Sequence, residues 1–211
     1  MKRFQSDEQR TGRVESLVVL VVVLLLAQGP VPTMGEDFRT SVLHPTRLAP
    51  EIQLTSDGDE FRLSRLRGQI VALSFGYTFC PDVCPTVLGK LARARAQLGR
   101  IASGVRVVFV AVDPARDTPD RLLAHMAAFD ATFIGVTGTS RELARVQHAY
   151  GVIAQPRQRR DGSAATLIDH SAPVYVIDQD GRLRLMFTAA TPVDDMTHDL
   201  RLLAETAQSS R

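Results

Sequence analysis

The sequence predicts an α/β domain in which a central mixed sheet is flanked by helices, with an extra β-hairpin at the N-terminal end. Strongly apolar segments of strand length alternate with segments whose apolar residues recur at helical spacing. Turn signals between short alternating segments mark hairpins at both ends of that alternation. A length of 211 residues, without a long low-complexity tract, suits one globular domain with a terminal appendage.

The first half of the domain contains a hairpin, two buried strands and a helix. Short alternating segments within residues 51–66 flank the turn Asp57-Gly58-Asp59, which is a hairpin signal. Residues 69–75 and 105–112 are almost continuously apolar, as is typical of strands buried on both faces. Between these two strands, residues 87–98 place apolar side chains at helical spacing.

The second half of the domain alternates helices with short strands. The predicted elements are a helix opened by Thr118 and Pro119, a strand over residues 133–136, a helix from Thr139 or Ser140 to Tyr150, a hairpin formed by residues 174–178 and 183–187, and a helix over residues 192–208. Residues 151–171 are polar and rich in arginine, and we expect an exposed loop there. Long loops in compact domains often have a functional role.

The N-terminal region has the pattern of a membrane-targeting segment. No charged residue occurs from Ser16 to Gly35, and the basic residues that precede this window are Lys2, Arg3, Arg10 and Arg13. We therefore predict a basic cytoplasmic N-terminus over residues 1–16, a membrane anchor or signal segment over 17–35, a tether over 36–50 and the folded domain over 51–211. In this arrangement a single anchor lies in the inner membrane and the domain faces the periplasm. Cleavage of the segment, which would release a secreted protein, is the alternative.

Composition argues against two classes of protein. The net charge is +2, and no run of five or six Lys or Arg residues is present to follow a phosphate backbone, so we expect no nucleic-acid partner. The two cysteines are too few for a disulfide-stapled scaffold, and a chain of this length can bury a core without staples. We therefore expect the cysteines to have a chemical role.

The cysteines lie where a central strand gives way to a helix. In the segment FGYTFCPDVCPT, Pro85 is tolerated only in the first turn of a helix, so Cys84 lies at the helix N-terminus and Cys80 in the loop before it. The N–H groups of that terminus are expected to lower the pKa of a cysteine. A structural disulfide, a redox-active disulfide and a metal site all remain open, although so short a loop gains little from a structural staple.

A metal site would need a third ligand from elsewhere in the chain. His44 falls in the predicted tether, and His125, His148 and His198 fall within predicted helices. His170 is different, because it ends the long predicted loop just before the strand at Val174. Asp113, at the end of another buried strand, is a further candidate neighbour of the cysteines, either as a partner of the ligands or as a cap of the following turn.

Four segments resemble one family. FGYTFCPDVCPT, VAVDPARDTPDRL, GVTGTSRELARVQHAYGV and DHSAPVYVIDQDGRL occur in this order, and together they are similar to the Sco/SenC proteins over residues 51–208. The resemblance implies a thioredoxin-like fold and a copper site whose ligands are Cys80, Cys84 and His170. It also implies a copper ion, as Cu(I), Cu(II) or both, since thiolates suit Cu(I) and an added imidazole suits Cu(II).

The resemblance further implies a role in assembly of the dinuclear copper centre of cytochrome c oxidase. The expected partners are the copper-centre subunit of that oxidase and an upstream copper donor or thiol reductant. Two functions stay open, a metallochaperone that carries copper without turnover and an enzyme that acts as a thiol-disulfide oxidoreductase on exported cysteine pairs. Phe79 departs from the family pattern and offers no ligand, whereas a cis bond at Ala172-Pro173 would favour the oxidoreductase.

Overall fold

A computed structural model describes residues 37–158, 166–170 and 173–209 of the chain. Its strands are β1 (Ser41–Leu48), β2 (Gln53–Ser56), β3 (Asp59–Arg62), β4 (Ile70–Gly76), β5 (Val105–Ala111), β6 (Ile134–Val136), β7 (Ala154–Gln158), β8 (Thr166–His170), β9 (Val174–Ile177) and β10 (Arg182–Phe187). Its helices are α1 (Val83–Gln97), α2 (Pro119–Ala127), α3 (Ser140–Tyr150) and α4 (Val193–Ser209), with short 3-10 turns at Leu63–Leu66 and Gly99–Gly104.

A six-stranded mixed sheet in the order β1-β10-β9-β4-β5-β6 forms the centre of the fold. Strands β4, β5 and β6 run parallel, as expected of strands joined by helices, and β9, β10 and β1 add antiparallel pairs on the other side. The predicted α/β class, with a central mixed sheet flanked by helices and an extra N-terminal hairpin, is confirmed.

Strand β4 separates two apolar cores. All seven of its residues are buried, and alternate side chains enter opposite clusters, with Ile70 and Ala72 on one face and Val71 and Leu73 on the other. Helices α1, α2 and α4 cover the first face, while α3 and the β2–β3 hairpin cover the second. Burial on both faces explains why this strand reads as a continuous apolar run.

Local signals account for several element boundaries. The β2–β3 turn consists of Asp57 and Gly58 with φ angles of 48° and 81°, the positive values that a tight two-residue hairpin turn requires. The Thr118 hydroxyl accepts a bond from the Arg121 N–H at the start of α2. A reciprocal capping box between Thr139 and Glu142 opens α3.

The predicted tether over residues 36–50 is wrong for its central part. Residues Ser41–Leu48 form β1, which pairs with β10 at the edge of the sheet, and the folded unit begins at Phe38. An edge strand can be held by backbone pairing alone, so most β1 side chains are exposed and give no apolar pattern. Pro45 also reads as a loop signal, although prolines are tolerated in edge strands.

The predicted exposed loop over residues 151–171 is also wrong in part. Strands β7 and β8 within it form a separate antiparallel hairpin, with Ala154 opposite His170 and Gln158 opposite Thr166. These strands were not predicted because their sequence is polar, and it is polar because a two-stranded ribbon buries little apolar surface.

Within the described residues, no helix is long and apolar enough to cross a membrane. The predicted basic N-terminus and the anchor over residues 17–35 lie outside those residues.

Candidate metal centre

The cysteine loop connects the carboxyl end of β4 to helix α1. Cys84 is the second residue of α1 and Cys80 lies in the preceding loop, as predicted from Pro85. The Cys80 N–H donates to the Tyr77 carbonyl at 3.1 Å, which closes a tight turn. No disulfide joins Cys80 and Cys84.

Cys84 is buried against the end of the sheet. It is 4% exposed, and a Cβ built on Gly76 would lie 2.6 Å from Cys84 Sγ and 2.8 Å from the Phe109 ring. Only a glycine at the end of β4 therefore leaves room for this thiol. A backbone hydrogen bond to Tyr77 and contact with the Cys80 side chain complete its surroundings.

The helix N-terminus was expected to lower the pKa of Cys84, but burial has the larger and opposite effect. Burial raises the pKa of the Cys84 thiol, and the hydrogen bond from Tyr77 opposes that shift without cancelling it. A helix terminus contributes about 0.3 to 1 kcal/mol, whereas desolvation of a buried charge costs more. Cys84 is thus a protonated thiol in the metal-free protein, and a metal ion would have to displace its proton.

A buried carboxylate fixes the loop from the side of β5 and α2. Asp117 is 0% exposed and accepts two bonds from Thr78, one from the hydroxyl to Oδ1 at 2.6 Å and one from the N–H, which lies 3.2 Å from each carboxylate oxygen. Burial raises the pKa of Asp117, and the bonds from Thr78 counter this by favouring the ionised form. Asp117 of the DPARDTP segment therefore holds Thr78, which lies two residues before Cys80.

Asp113 has the turn-forming role that was one of its two expected roles. Its carbonyl accepts bonds from the N–H groups of Arg116 and Asp117, and its carboxylate pairs with Arg116 Nε. The Arg116 guanidinium then lies over the rings of Tyr77 and Phe79, 5.7 and 5.0 Å from their centroids. Asp113 therefore acts on the cysteine loop through Arg116.

Phe79 lies at the surface directly before Cys80. Its ring is 47% exposed, with the Arg121 guanidinium 4.8 Å from its centroid in addition to that of Arg116. Two cation–π contacts hold the ring in place at the opening of the cysteine loop. A phenyl ring carries no atom that could coordinate a metal ion.

His170 ends β8, and the hairpin that carries it is bonded to the cysteine loop. The Ile168 N–H donates to the Tyr77 hydroxyl at 3.2 Å. Tyr77 is 2% exposed, and burial raises its pKa, so the hydroxyl stays protonated at neutral pH. The strand that carries the third predicted ligand is thereby connected to the segment that leads to Cys80.

The other four histidines lie elsewhere in the fold. His44 is in β1, His125 packs between Phe109 and Phe129 in α2, His148 is on the exposed side of α3 and His198 bonds to Asp199 in α4.

The described side chains contain no cluster of three or more His, Cys, Asp or Glu residues that could hold a metal ion. The His170 side chain lies outside that set, so the three-ligand site remains a prediction. Two contacting sulfur donors, one half-exposed and one buried, suit a soft ion better than an oxygen-seeking one. Ala172 lies outside the described residues, and so does its peptide bond to Pro173, whose cis form would favour the oxidoreductase.

Sequence reasoning missed the groups that shape the cysteine loop. Five residues outside the predicted ligand set contact or shape this loop, namely Gly76, Tyr77, Thr78, Arg116 and Asp117. The second aspartate of DPARDTP, Asp117, was the available signal. Thr118 alone can cap the following helix, so Asp117 is free to have another role.

Comparison with known families matches residues 44–205 to SCO1/SenC, which covers most of the chain. The chain belongs to the SCO1/SenC family. The resemblance stated from the motifs is confirmed. An SCO2-like protein of Rickettsia conorii is 30% identical over 148 residues, covering 70% of this chain and 72% of that protein.

Solved Sco structures share the fold. The structure of Bradyrhizobium japonicum ScoI with copper bound is 33% identical, with a TM-score of 0.66, and the match covers 74% of this chain and 98% of that one. The solution structures of apo Sco1 from Thermus thermophilus are 34% identical, with a TM-score of 0.71, and the match covers 79% and 96%. The fold of this Sco family member is therefore the thioredoxin-like fold that the motifs implied.

Proposed function

We propose that this Sco protein carries one copper ion on Cys80, Cys84 and His170 and delivers it to the dinuclear copper centre of cytochrome c oxidase. The observation that carries the proposal is the pair of contacting cysteine side chains, with Cys80 partly buried and Cys84 buried, on a loop bonded to the hairpin of His170. Family membership and a copper-bound relative at 33% identity support copper as the cargo.

The donor set suits an ion that must be both held and released. Two thiolates favour Cu(I), and the added imidazole allows Cu(II) as well. A three-ligand site leaves a position open for an incoming ligand. In the proposed handover, a thiolate of the acceptor binds copper at that position, the accessible Cys80 leaves first and takes up a proton, and the copper keeps its oxidation state throughout.

The proposed location follows from the sequence. The uncharged segment over residues 17–35 would anchor the chain in the inner membrane, with the domain on the periplasmic side. An upstream donor would load the protein there, and the copper-centre subunit of the oxidase would receive the ion.

A thiol-disulfide oxidoreductase is the second candidate, and the partial exposure of Cys80 is the observation that favours it. In that reaction the Cys80 thiolate attacks a disulfide of the acceptor and forms a mixed disulfide, releasing one acceptor thiolate. Cys84 then loses its proton and displaces the second acceptor thiolate. The two electrons pass to the acceptor, the carrier ends with a Cys80–Cys84 disulfide, and an upstream thiol reductant restores it.

A transfer experiment with the full chain in detergent micelles separates the two candidates. The Cu(I)-loaded protein is mixed with a metal-free, reduced copper-centre domain of the oxidase, and the metal-free protein is mixed with the oxidised domain. If the protein is a copper carrier, copper moves to the reduced domain, and the transfer rate falls in Cys80→Ser. His148→Ala, which replaces a histidine outside the proposed site, is the control for histidine substitution.

Equal transfer rates from wild type and Cys80→Ser would contradict the carrier mechanism. Stoichiometric reduction of the oxidised domain by metal-free wild type and by His170→Ala alike, without copper transfer, would establish the reductase instead.

A further inference from the structure

Tyr77 is the first residue of the cysteine loop, and its hydroxyl bonds to the hairpin that carries His170. Its carbonyl accepts the Cys80 N–H at 3.1 Å, and its hydroxyl accepts the Ile168 N–H at 3.2 Å. The side chain is 2% exposed, so water does not compete for the hydroxyl. One residue thus contacts the backbone of both parts of the proposed copper site.

The β7–β8 hairpin depends on such an attachment. Within the described residues it forms a sheet of its own, outside the six-stranded sheet. A two-stranded ribbon is marginally stable in water unless it packs against something else.

Apolar packing holds the hairpin without fixing its register against the loop. Ala154 and Ile168 are partly buried against the core cluster that contains Tyr77. Such contacts are non-directional, whereas the bond from Ile168 N–H to the Tyr77 hydroxyl is directional. Since Ile168 is two residues before His170, about 7 Å of strand separates this bond from the proposed ligand.

We propose that Tyr77 is a positioning residue that fixes the His170 strand relative to the two cysteines. The inference rests on the proposed copper function and adds a group that touches no metal. Loss of the hydroxyl leaves the Ile168 N–H without its partner and lets the strand end move against the loop. The imidazole would then be lost as a ligand in part of the population, while both cysteines remain.

The two other tyrosines, the buried Tyr150 and the partly buried Tyr175, provide matched controls. The Tyr150 hydroxyl donates to the Pro50 carbonyl at 2.7 Å, and the Tyr175 hydroxyl donates to the Tyr150 carbonyl at 2.7 Å. Both side chains belong to the same apolar face as Tyr77, but neither hydroxyl bonds to the cysteine loop or to β8. Their removal tests the general cost of deleting a tyrosine hydroxyl.

The first measurement uses no metal. Amide hydrogen exchange is followed in the metal-free full chain in detergent micelles, comparing wild type with Tyr77→Phe, Tyr150→Phe and Tyr175→Phe. Exchange in the peptide covering residues 166–170 is expected to accelerate about tenfold in Tyr77→Phe alone, the effect of losing one hydrogen bond. Unchanged exchange there, or equal acceleration in Tyr150→Phe, would overturn the inference.

The second measurement uses Cu(II) as the probe. In Tyr77→Phe the nitrogen coupling in the electron paramagnetic resonance spectrum should shift toward that of His170→Ala, and Cu(II) affinity should fall about tenfold. A wild-type spectrum in Tyr77→Phe, with coupling lost in His170→Ala, would refute the role of Tyr77 and leave the copper function intact. Identical spectra for wild type and His170→Ala would instead refute the ligand assignment, and the exchange experiment would still decide whether Tyr77 holds β8.

Discussion

At the scale of single residues, the site depends on a glycine, whose lack of a side chain leaves room for Cys84. Gly76 ends β4, and a Cβ there would approach Cys84 Sγ to 2.6 Å and Phe109 Cζ to 2.9 Å. Both neighbours are buried, so neither can move without disturbing the core. The strand-to-helix connection therefore places the thiol by leaving space for it.

Replacement of Gly76 by alanine should lower the free energy of unfolding by about 1 to 3 kcal/mol, because the added methyl overpacks a dense region. Urea unfolding of the full chain in detergent measures this change. Gly89 in α1 is the control, since a Cβ there meets nothing within 4 Å. Gly89→Ala should increase stability by up to about 1 kcal/mol. Equal effects of the two substitutions would show that space at Gly76 is not limiting.

The pKa of Cys84 shows where residue-level prediction failed. Pro85 correctly located Cys84 at the start of a helix, and that position alone favours the thiolate. Burial depends on Gly76 and Phe109, which come from two neighbouring strands, and no local pattern reveals it. Burial, which raises the pKa of Cys84, therefore outweighs the helix N-terminus, and burial is the effect that no local sequence pattern reveals.

At the scale of elements, the cysteine loop is held by the segment between β5 and α2. The Thr78 hydroxyl and N–H both donate to the buried Asp117 carboxylate. Hydrogen bonds to charged acceptors contribute more than neutral ones, and burial removes competition from water. The DPARDTP segment thus acts on Cys80 through Thr78.

A double-mutant cycle of Thr78→Val and Asp117→Asn should give a coupling energy of about 1 to 3 kcal/mol in urea unfolding. The chain offers an exposed counterpart, in which the Thr132 N–H and hydroxyl donate to Asp130 at 2.9 and 2.8 Å. The same substitutions in that pair should couple by less than about 1 kcal/mol. Coupling at the buried pair no larger than at the exposed pair would contradict the proposed anchoring of the loop.

Elements with strong local signals were predicted well, and elements held by pairing were missed. Strands β4 and β5 are buried on both faces, and α3 carries a capping box, so each is legible in sequence. Strands β1, β7 and β8 have polar sequences and exist because a neighbour pairs with them. The assignment of His170 as the third ligand stays a prediction, and the strand β8 that carries it was not foreseen.

At the scale of the whole molecule, the start of the folded unit is attached to its last helix. Asp199 of α4 is 0% exposed and accepts bonds from Arg39 N–H at 2.9 Å and from Thr40 N–H and hydroxyl at 3.0 and 2.7 Å. Strand β1 follows directly and pairs with β10. Residues 39–48 of the predicted tether are therefore part of the folded domain.

Removal of the Asp199 side chain should destabilise the full chain by about 2 to 4 kcal/mol, because Asp199→Ala leaves several donors without their charged acceptor. Asp195, on the same helix, is the control. It makes a partly exposed ion pair with Arg39 at 3.6 Å, so Asp195→Ala should cost less than about 1 kcal/mol. Urea unfolding distinguishes the two, and similar losses would mean that the N-terminal attachment contributes little.

Copper binding by the full chain in detergent is the most direct test of the central claim. Copper per chain and the Cu(II) spectrum are compared between wild type, His170→Ala and the exposed-histidine control His148→Ala. We predict one copper per wild-type chain with sulfur and nitrogen ligands, an unchanged control, and at least about a tenfold loss of affinity with loss of nitrogen coupling in His170→Ala. Copper bound equally by wild type and His170→Ala, or retained by neither, would contradict the three-ligand copper site.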